Sequence, residues 1–86
     1  MATFTAEQVK TIQEVAAKVT EHATYQAERF DSLDNPAFCA CEIIDLVEWM
    51  TPEVNMQSAV AKVVLESYDW PEGTVKPVKS HFGLPY

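Results

Sequence analysis

Three carboxylates recur every three residues within the most apolar stretch of the chain, from Pro36 to Met50. At about 100° per residue, Glu42, Asp45 and Glu48 fall within an arc of about 120° on a helix that is otherwise apolar all round. Such a row could supply general acids or ligands for a divalent cation. No histidine or glycine-rich loop accompanies it, and the Glu-x-x-His motif of dinuclear carboxylate bundles does not occur. The row predicts a core helix with one negative edge, and we expect no enzymatic activity and no cofactor.

The two cysteines and two histidines could form a four-ligand zinc site on paper. Zinc sites, however, normally draw their cysteines from a turn with two to four residues between them. Cys39 and Cys41 are separated by one residue and would point about 200° apart on a helix, which also disfavours a mutual disulfide. Neither cysteine has a basic surround that would make it a nucleophile. We predict reduced, buried thiols, no metal, and a surface position for His22.

The charges are unevenly distributed along the 86 residues, which carry 13 acids, 6 bases and a net charge of −7. Between residues 21 and 61, eight acids are opposed by Arg29 alone, so all of the excess charge lies in the middle of the chain. A protein that binds nucleic acid directly must neutralise phosphates, which this charge disfavours. An acidic surface instead increases the rate of association with a cationic partner. The plainer interpretation is that the acids form a solvated outer face, and docking on a basic partner is the alternative to it.

The first helix is predicted over about residues 5–30. Thr5 and Gln8 can form a capping box, with Phe4 packing on Val9 as a hydrophobic staple. Apolar residues then recur at helical spacing and define a seam; it comprises Val9, Ile12, Ala16, Val19, Ala23 and Phe30, widened by Val15 and Ala27. An outer column repeats every seven residues and consists of Glu7, Glu14, Glu21 and Glu28. A helix of this length would be about 38 Å long, which allows a bend, an early stop near Thr24 or a dimer.

Two further helices are predicted from an N-cap followed by proline. Asn35-Pro36 would begin a helix over about residues 36–50, and Thr51-Pro52 one over about residues 52–68. Residues 71–86 contain three prolines and two glycines, and we expect an extended tail, docked through its large apolar side chains, with strand-like pieces at 74–76 and 78–79. The chain thus predicts a single all-α domain over residues 1–86, with three helices, the first of them long, and an extended C-terminal tail.

The sequence fits a stoichiometric binding role best. We expect a small acidic, non-catalytic protein that binds the basic surface of another protein and contacts neither nucleic acid nor membrane. In size, charge and lack of a catalytic motif, the chain is similar to small acidic phage-encoded proteins that inhibit host defence or nucleic-acid machinery, including anti-CRISPR and antirestriction proteins. The likeness covers no specific motif. It implies that a basic nucleic-acid-binding groove is occupied by Glu28, Asp31, Asp34, Glu42, Asp45, Glu48, Trp49 and Glu53.

The alternative function is structural, a helical homo-oligomer that associates through the seam of the first helix. The first helix distinguishes the two hypotheses: V19D should yield monomers if the seam forms a dimer, whereas it should unfold or destabilise a monomeric inhibitor. No basic region followed by a long apolar run opens the chain, and its longest apolar run is far shorter than a membrane span. We therefore expect a cytoplasmic protein, in the host cytoplasm if it is phage-encoded.

Overall fold

The computed structural model describes residues 3–85, which form helices and loops with no strand. The α-helices are α1 (Ala6–Arg29), α2 (Pro36–Met50), α3 (Gln57–Glu66) and α4 (Val75–Phe82), and a short 3₁₀ turn (Val54–Met56) precedes α3. The prediction of an all-α fold is confirmed. The prediction of three helices and an extended tail is correct only in part, because the described part of the chain contains a fourth helix.

Local capping determines both ends of α1. The Thr5 hydroxyl accepts a hydrogen bond from the Gln8 amide at 3.1 Å, and the Gln8 side chain accepts one from the Thr5 amide at 2.9 Å. These two bonds form the predicted capping box. The helix ends where Asp31 adopts a left-handed conformation with φ of 53°, which aspartate tolerates better than most residues. The Ser32 amide then donates to the Ala27 carbonyl at 2.6 Å, so an otherwise free carbonyl at the helix end is satisfied.

The core lies between α1 and the other helices. The buried stripe of α1 contains three alanines, which let α2 and α3 approach its backbone closely. It consists of Ile12, Ala16, Val19, Ala23 and Ala27. The facing core residues are Cys39, Ala40, Ile43 and Val47 of α2, Val60, Ala61 and Val64 of α3, and Val78 of α4. Most of the predicted seam is therefore core, although Val9 and Phe30 are exposed, and the buried stripe is not free to associate with a second copy.

The Thr51-Pro52 pair ends a helix instead of beginning one. The Thr51 amide donates to the Val47 carbonyl at 3.1 Å, which completes α2. Its ψ of 122° is extended, as proline requires of the residue before it. The chain bends at Pro52, and α3 begins at Gln57 after the 3₁₀ turn. The prediction of a helix over 52–68 was wrong at its start for this reason, and α3 is shorter than expected.

The extended tail was also a wrong prediction, because residues 75–82 form α4. Pro77 is the third residue of this helix, where the missing N–H would have had no partner within the helix. Val75, Val78 and Phe82 recur at helical spacing, and Val78 is fully buried. Gly83 adopts a left-handed conformation with φ of 69°, and the Leu84 amide donates to the Lys79 carbonyl at 2.8 Å. This arrangement is a typical glycine-terminated helix end.

The segment between α3 and α4 is anchored at two points. The Trp70 ring is buried, and its indole N–H donates to the Val64 carbonyl at 2.9 Å. Thr74 is fully buried, with its hydroxyl 3.4 Å from the Pro36 carbonyl. The expectation that large apolar groups dock this part of the chain on the helices is confirmed for Trp70, and Phe82 and Leu84 also pack against the core, partly buried. Tyr86, included in the same expectation, lies outside the described residues. These contacts hold α4 beside the beginning of α2.

Candidate functional site

The outer face of α2 presents both charged and aromatic side chains. Asp45, Glu48 and Trp49 are exposed, whereas Ile43 and Val47 on the opposite side are fully buried. Trp49 is 80% exposed although it belongs to the most apolar segment of the chain. Trp rings normally contribute large buried areas to cores and interfaces. A ring left in water at the end of a well-packed helix is therefore the most unusual feature of this surface.

Val54 extends the apolar part of this surface and Glu53 its acidic part. Val54 is 81% exposed, and both residues follow Trp49 within five positions. Five residues span at most about 18 Å, so both lie near the end of α2. We refer to Asp45, Glu48, Trp49, Glu53 and Val54 together as the Trp49 surface.

The acids of the Trp49 surface oppose the dipole of α2. Carboxylates are disfavoured near a helix C-terminus, where the partial charge is negative. The last turn of α2 contains no basic residue, yet it carries Glu48. A contact from α4 compensates for this unfavourable position of Glu48, since His81 Nε2 lies 3.0 Å from Glu48 Oε2. This contact joins the two helices, and a protonated imidazole would make it an ion pair.

A second group of acids lies at the other end of α2, where α1 ends. Glu28, Asp31 and Asp34 are all exposed, and so are two apolar neighbours in the same loop, Phe30 and Leu33. The Phe30 ring is 59% exposed, lies 5.9 Å from the Phe38 ring and has the Arg29 guanidinium 5.6 Å from its centroid. We refer to these three acids and two apolar residues as the loop surface.

The eight residues predicted to bind a partner therefore fall into two groups. Helix α2 has 15 residues and is about 22 Å long, which places the loop surface and the Trp49 surface at its two ends. Glu42 lies between them and is half-buried. Asp34 and Glu42 both lie close enough to Cys39 to act on its thiol. Burial in the first place, and then these two charges, raise the pKa of Cys39.

The polar groups do not converge on a catalytic or metal-binding arrangement. Within residues 3–85, no three His, Cys, Asp or Glu side chains come together in a way that could hold a metal ion. Both cysteines are free thiols. Cys39 is buried, and its thiol lies 3.5 Å from the Ser32 carbonyl. Cys41 is exposed, so the prediction that both thiols are buried was wrong for Cys41. Two positions along a helix rotate the side-chain direction by about 200°, which places Cys41 on the outer face when Cys39 is buried.

Sequence reasoning missed Val54 of the Trp49 surface and His81, which supports this surface. His81 lay within the predicted extended tail, and Val54 within the helix predicted over about residues 52–68. The signal for α4 is nevertheless present, because Lys79 and His81 in the last turn, followed by Gly83, are typical of a helix C-terminus. The exposure of Val54 has no comparable signal, since it depends on where the chain turns after Pro52.

Comparison with protein families, with characterised proteins and with solved structures finds no match to this chain. Among the described residues, no helix has both the length and the apolar character needed to cross a membrane.

Proposed function

We propose that this protein is a non-catalytic binding protein whose acidic surface, centred on α2, docks on the basic surface of another protein. The observation that carries the proposal is the exposure of Trp49 among carboxylates. Tryptophan is enriched among the few interface residues that contribute most of the binding free energy. Surrounding acids would steer a cationic partner toward the ring and form the polar rim of the contact.

The partner we propose is a protein with a basic groove for nucleic acid. The acids of α2 and the loop surface extend along about 22 Å, which is the axial length of about six base pairs of a duplex at 3.4 Å each. A groove that binds phosphates in a row would accept carboxylates along this edge. This is the arrangement expected of a phage-type inhibitor that competes with nucleic acid for its target.

Charge alone would give weak and salt-sensitive binding. The apolar groups at both ends of the acidic edge, Trp49 with Val54 and Phe30 with Leu33, would supply the burial that affinity requires. Affinity should therefore depend on both kinds of residue. Removal of acids should slow association and decrease its salt dependence, whereas removal of Trp49 should accelerate dissociation.

Affinity capture with variants tests this proposal. Tagged protein is incubated with nuclease-treated host lysate at about 0.1 M and about 0.5 M salt, between which the screening length falls from about 10 Å to a few ångströms. We expect a nucleic-acid-binding protein that is retained at the lower salt and displaced by added nucleic acid. The double variant D45K/E53K should lose this protein. The matched control E14K/E21K, which makes the same charge change at exposed positions of α1, should retain it.

Two results would contradict the proposal. One is equal loss of the captured protein with both double variants, which would mean that only net charge matters. The other is capture that W49A leaves unchanged. Glu48 is left intact in these experiments because its contact with His81 also supports α4.

A further inference from the structure

A groove lies between α3 and the end of α4, on a part of the molecule that the proposed function does not use. It has a volume of about 510 Å³. Its apolar lining comes from Leu65, Leu84 and Pro85, and its charged lining from Lys62, Glu66 and Lys79. Two lysines against one glutamate give the lining a net positive charge, which suits a ligand that combines a large apolar group with carboxylates.

The two lysines of the groove form no ion pair with a described residue, Glu66 of the same groove included. Among residues 3–85, neither Lys62 nor Lys79 lies within 4.0 Å of a carboxylate oxygen. Lys79 and His81 are two residues apart on α4 and therefore point about 200° apart. Since His81 contacts Glu48 of α2, Lys79 faces away from α2. The groove and the Trp49 surface are thus separate, and one molecule can use both at once.

We propose that the groove binds the Trp49 surface of a second copy of this chain. The Trp49 ring would lie on the floor formed by Leu65 and Leu84, with Asp45 and Glu53 of the same copy near Lys62 and Lys79. This surface has the composition that the groove requires, an exposed aromatic ring with flanking carboxylates. The association is head-to-tail, because each copy contributes a different surface.

The charge distribution favours this orientation over a symmetric one. Residues 21–61 carry the whole net charge of −7, whereas residues 62–86 carry three acids and three bases. A symmetric contact between two acidic edges would place like charges opposite each other. The head-to-tail contact places the acidic edge against a part of the molecule without net charge.

The contact is small, so the association is weak. A buried Trp contributes about 150–250 Å², and the pair of surfaces falls below the roughly 1,200 Å² of total area that stable interfaces bury. We expect dissociation constants of about 10 µM to about 1 mM, the range of transient contacts. Because a head-to-tail contact leaves one surface free at each end, the assembly grows with concentration unless it closes into a ring.

Sedimentation velocity on the purified protein tests the proposal independently of any foreign partner. The average mass should rise with concentration over about 10 µM to about 1 mM. W49A and K79E should each remain monomeric at every concentration. Mixed in equal amounts, W49A supplies an intact groove and K79E an intact Trp49 surface, so the mixture should form 1:1 dimers and nothing larger. A symmetric contact between two Trp49 surfaces could not give this result, because W49A would lack its half of the contact.

Two control variants make the same chemical changes elsewhere. Y25A removes another exposed aromatic side chain, and K10E reverses another exposed lysine, and both should associate like the unmodified protein. A monomer at all concentrations would overturn the proposal. So would a mixture of W49A and K79E that stays monomeric, or a loss of association in K10E equal to that in K79E. Capture of a nucleic-acid-binding protein is tested separately with K79E, which loses the groove but keeps the Trp49 surface.

Discussion

The two tryptophans allow a direct test of which side chains hold the fold and which are available for binding. Trp49 is 80% exposed, whereas Trp70 is 7% exposed and donates a hydrogen bond to the Val64 carbonyl. We predict that W49A leaves stability nearly unchanged and that W70A lowers it severely. The comparison matters because loss of binding in W49A is informative only if that variant stays folded.

The magnitudes follow from the buried areas. About one fifth of Trp49 is out of water, or about 30–50 Å² of the 150–250 Å² that a Trp can bury. At about 25 cal/mol per Å² this is about 1 kcal/mol, offset by roughly 0.5 kcal/mol because alanine has the higher helix propensity. The net cost of about 0.5 kcal/mol corresponds to a fall in Tm of about 2–4 °C. For W70A, large-to-small truncation costs about 3–5 kcal/mol, a fall of about 12 °C or more.

Urea and thermal unfolding followed by circular dichroism measure both variants, and fluorescence adds a separate readout. In W70F the only indole is Trp49, whose emission should already be that of a solvated ring and should change little on unfolding. In W49F the remaining Trp70 should shift to the red when the protein unfolds. Equal destabilisation by W49A and W70A would refute the reasoning, because it would mean that Trp49 belongs to the core.

The cysteines and Gly83 provide three further predictions. Cys41 should react with a thiol reagent in the folded protein. Cys39 should react at least about 100-fold more slowly, because its reaction requires local opening; equal rates would contradict the burial of Cys39. Since burial and the charges of Asp34 and Glu42 raise the pKa of Cys39 above 9.0, its neutral thiol contributes stability that is fully present below pH 9.0 and is lost as the pH rises through the folded-state pKa. Urea unfolding of C39A should lack this alkaline loss, whereas C41A should retain it. G83A should lower the free energy of unfolding by about 1 kcal/mol, because alanine is strained at positive φ. The control S80A, at an exposed position of α4, should change the free energy of unfolding little. Equal effects of the two variants would argue against the left-handed helix end.

Local sequence signals predicted most helix boundaries. The capping box at Thr5 and the Asn35-Pro36 start of α2 are both present, because such caps depend on residues within four positions of each other. The acids of the outer column of α1 are exposed as expected. The same local reasoning failed at Thr51-Pro52 and at Pro77. A proline preceded by a possible cap is compatible with a helix start and with a helix end, and neighbouring residues alone do not distinguish them.

The candidate surfaces were less predictable than the helices. Periodicity identified which side chains share one face of α2, but not that Trp49 would stay outside while Trp70 is buried. That difference arises from packing between distant segments, since Trp70 reaches a carbonyl of α3, whereas Trp49 stays 80% exposed at the end of α2. The separation of the acids into two groups also follows from the length of α2, with Glu42 half-buried between them.

The sequence by itself determined the all-helical class, the ends of α1, the start of α2, the buried stripe of α1 and the location of the excess negative charge. These properties depend on short-range hydrogen bonds, helical spacing and composition. Only the tertiary structure decided that α4 folds back beside α2, that His81 meets Glu48 and that a groove opens between α3 and α4. Each of these depends on which apolar faces meet, and residues far apart in the chain become neighbours only when the core forms.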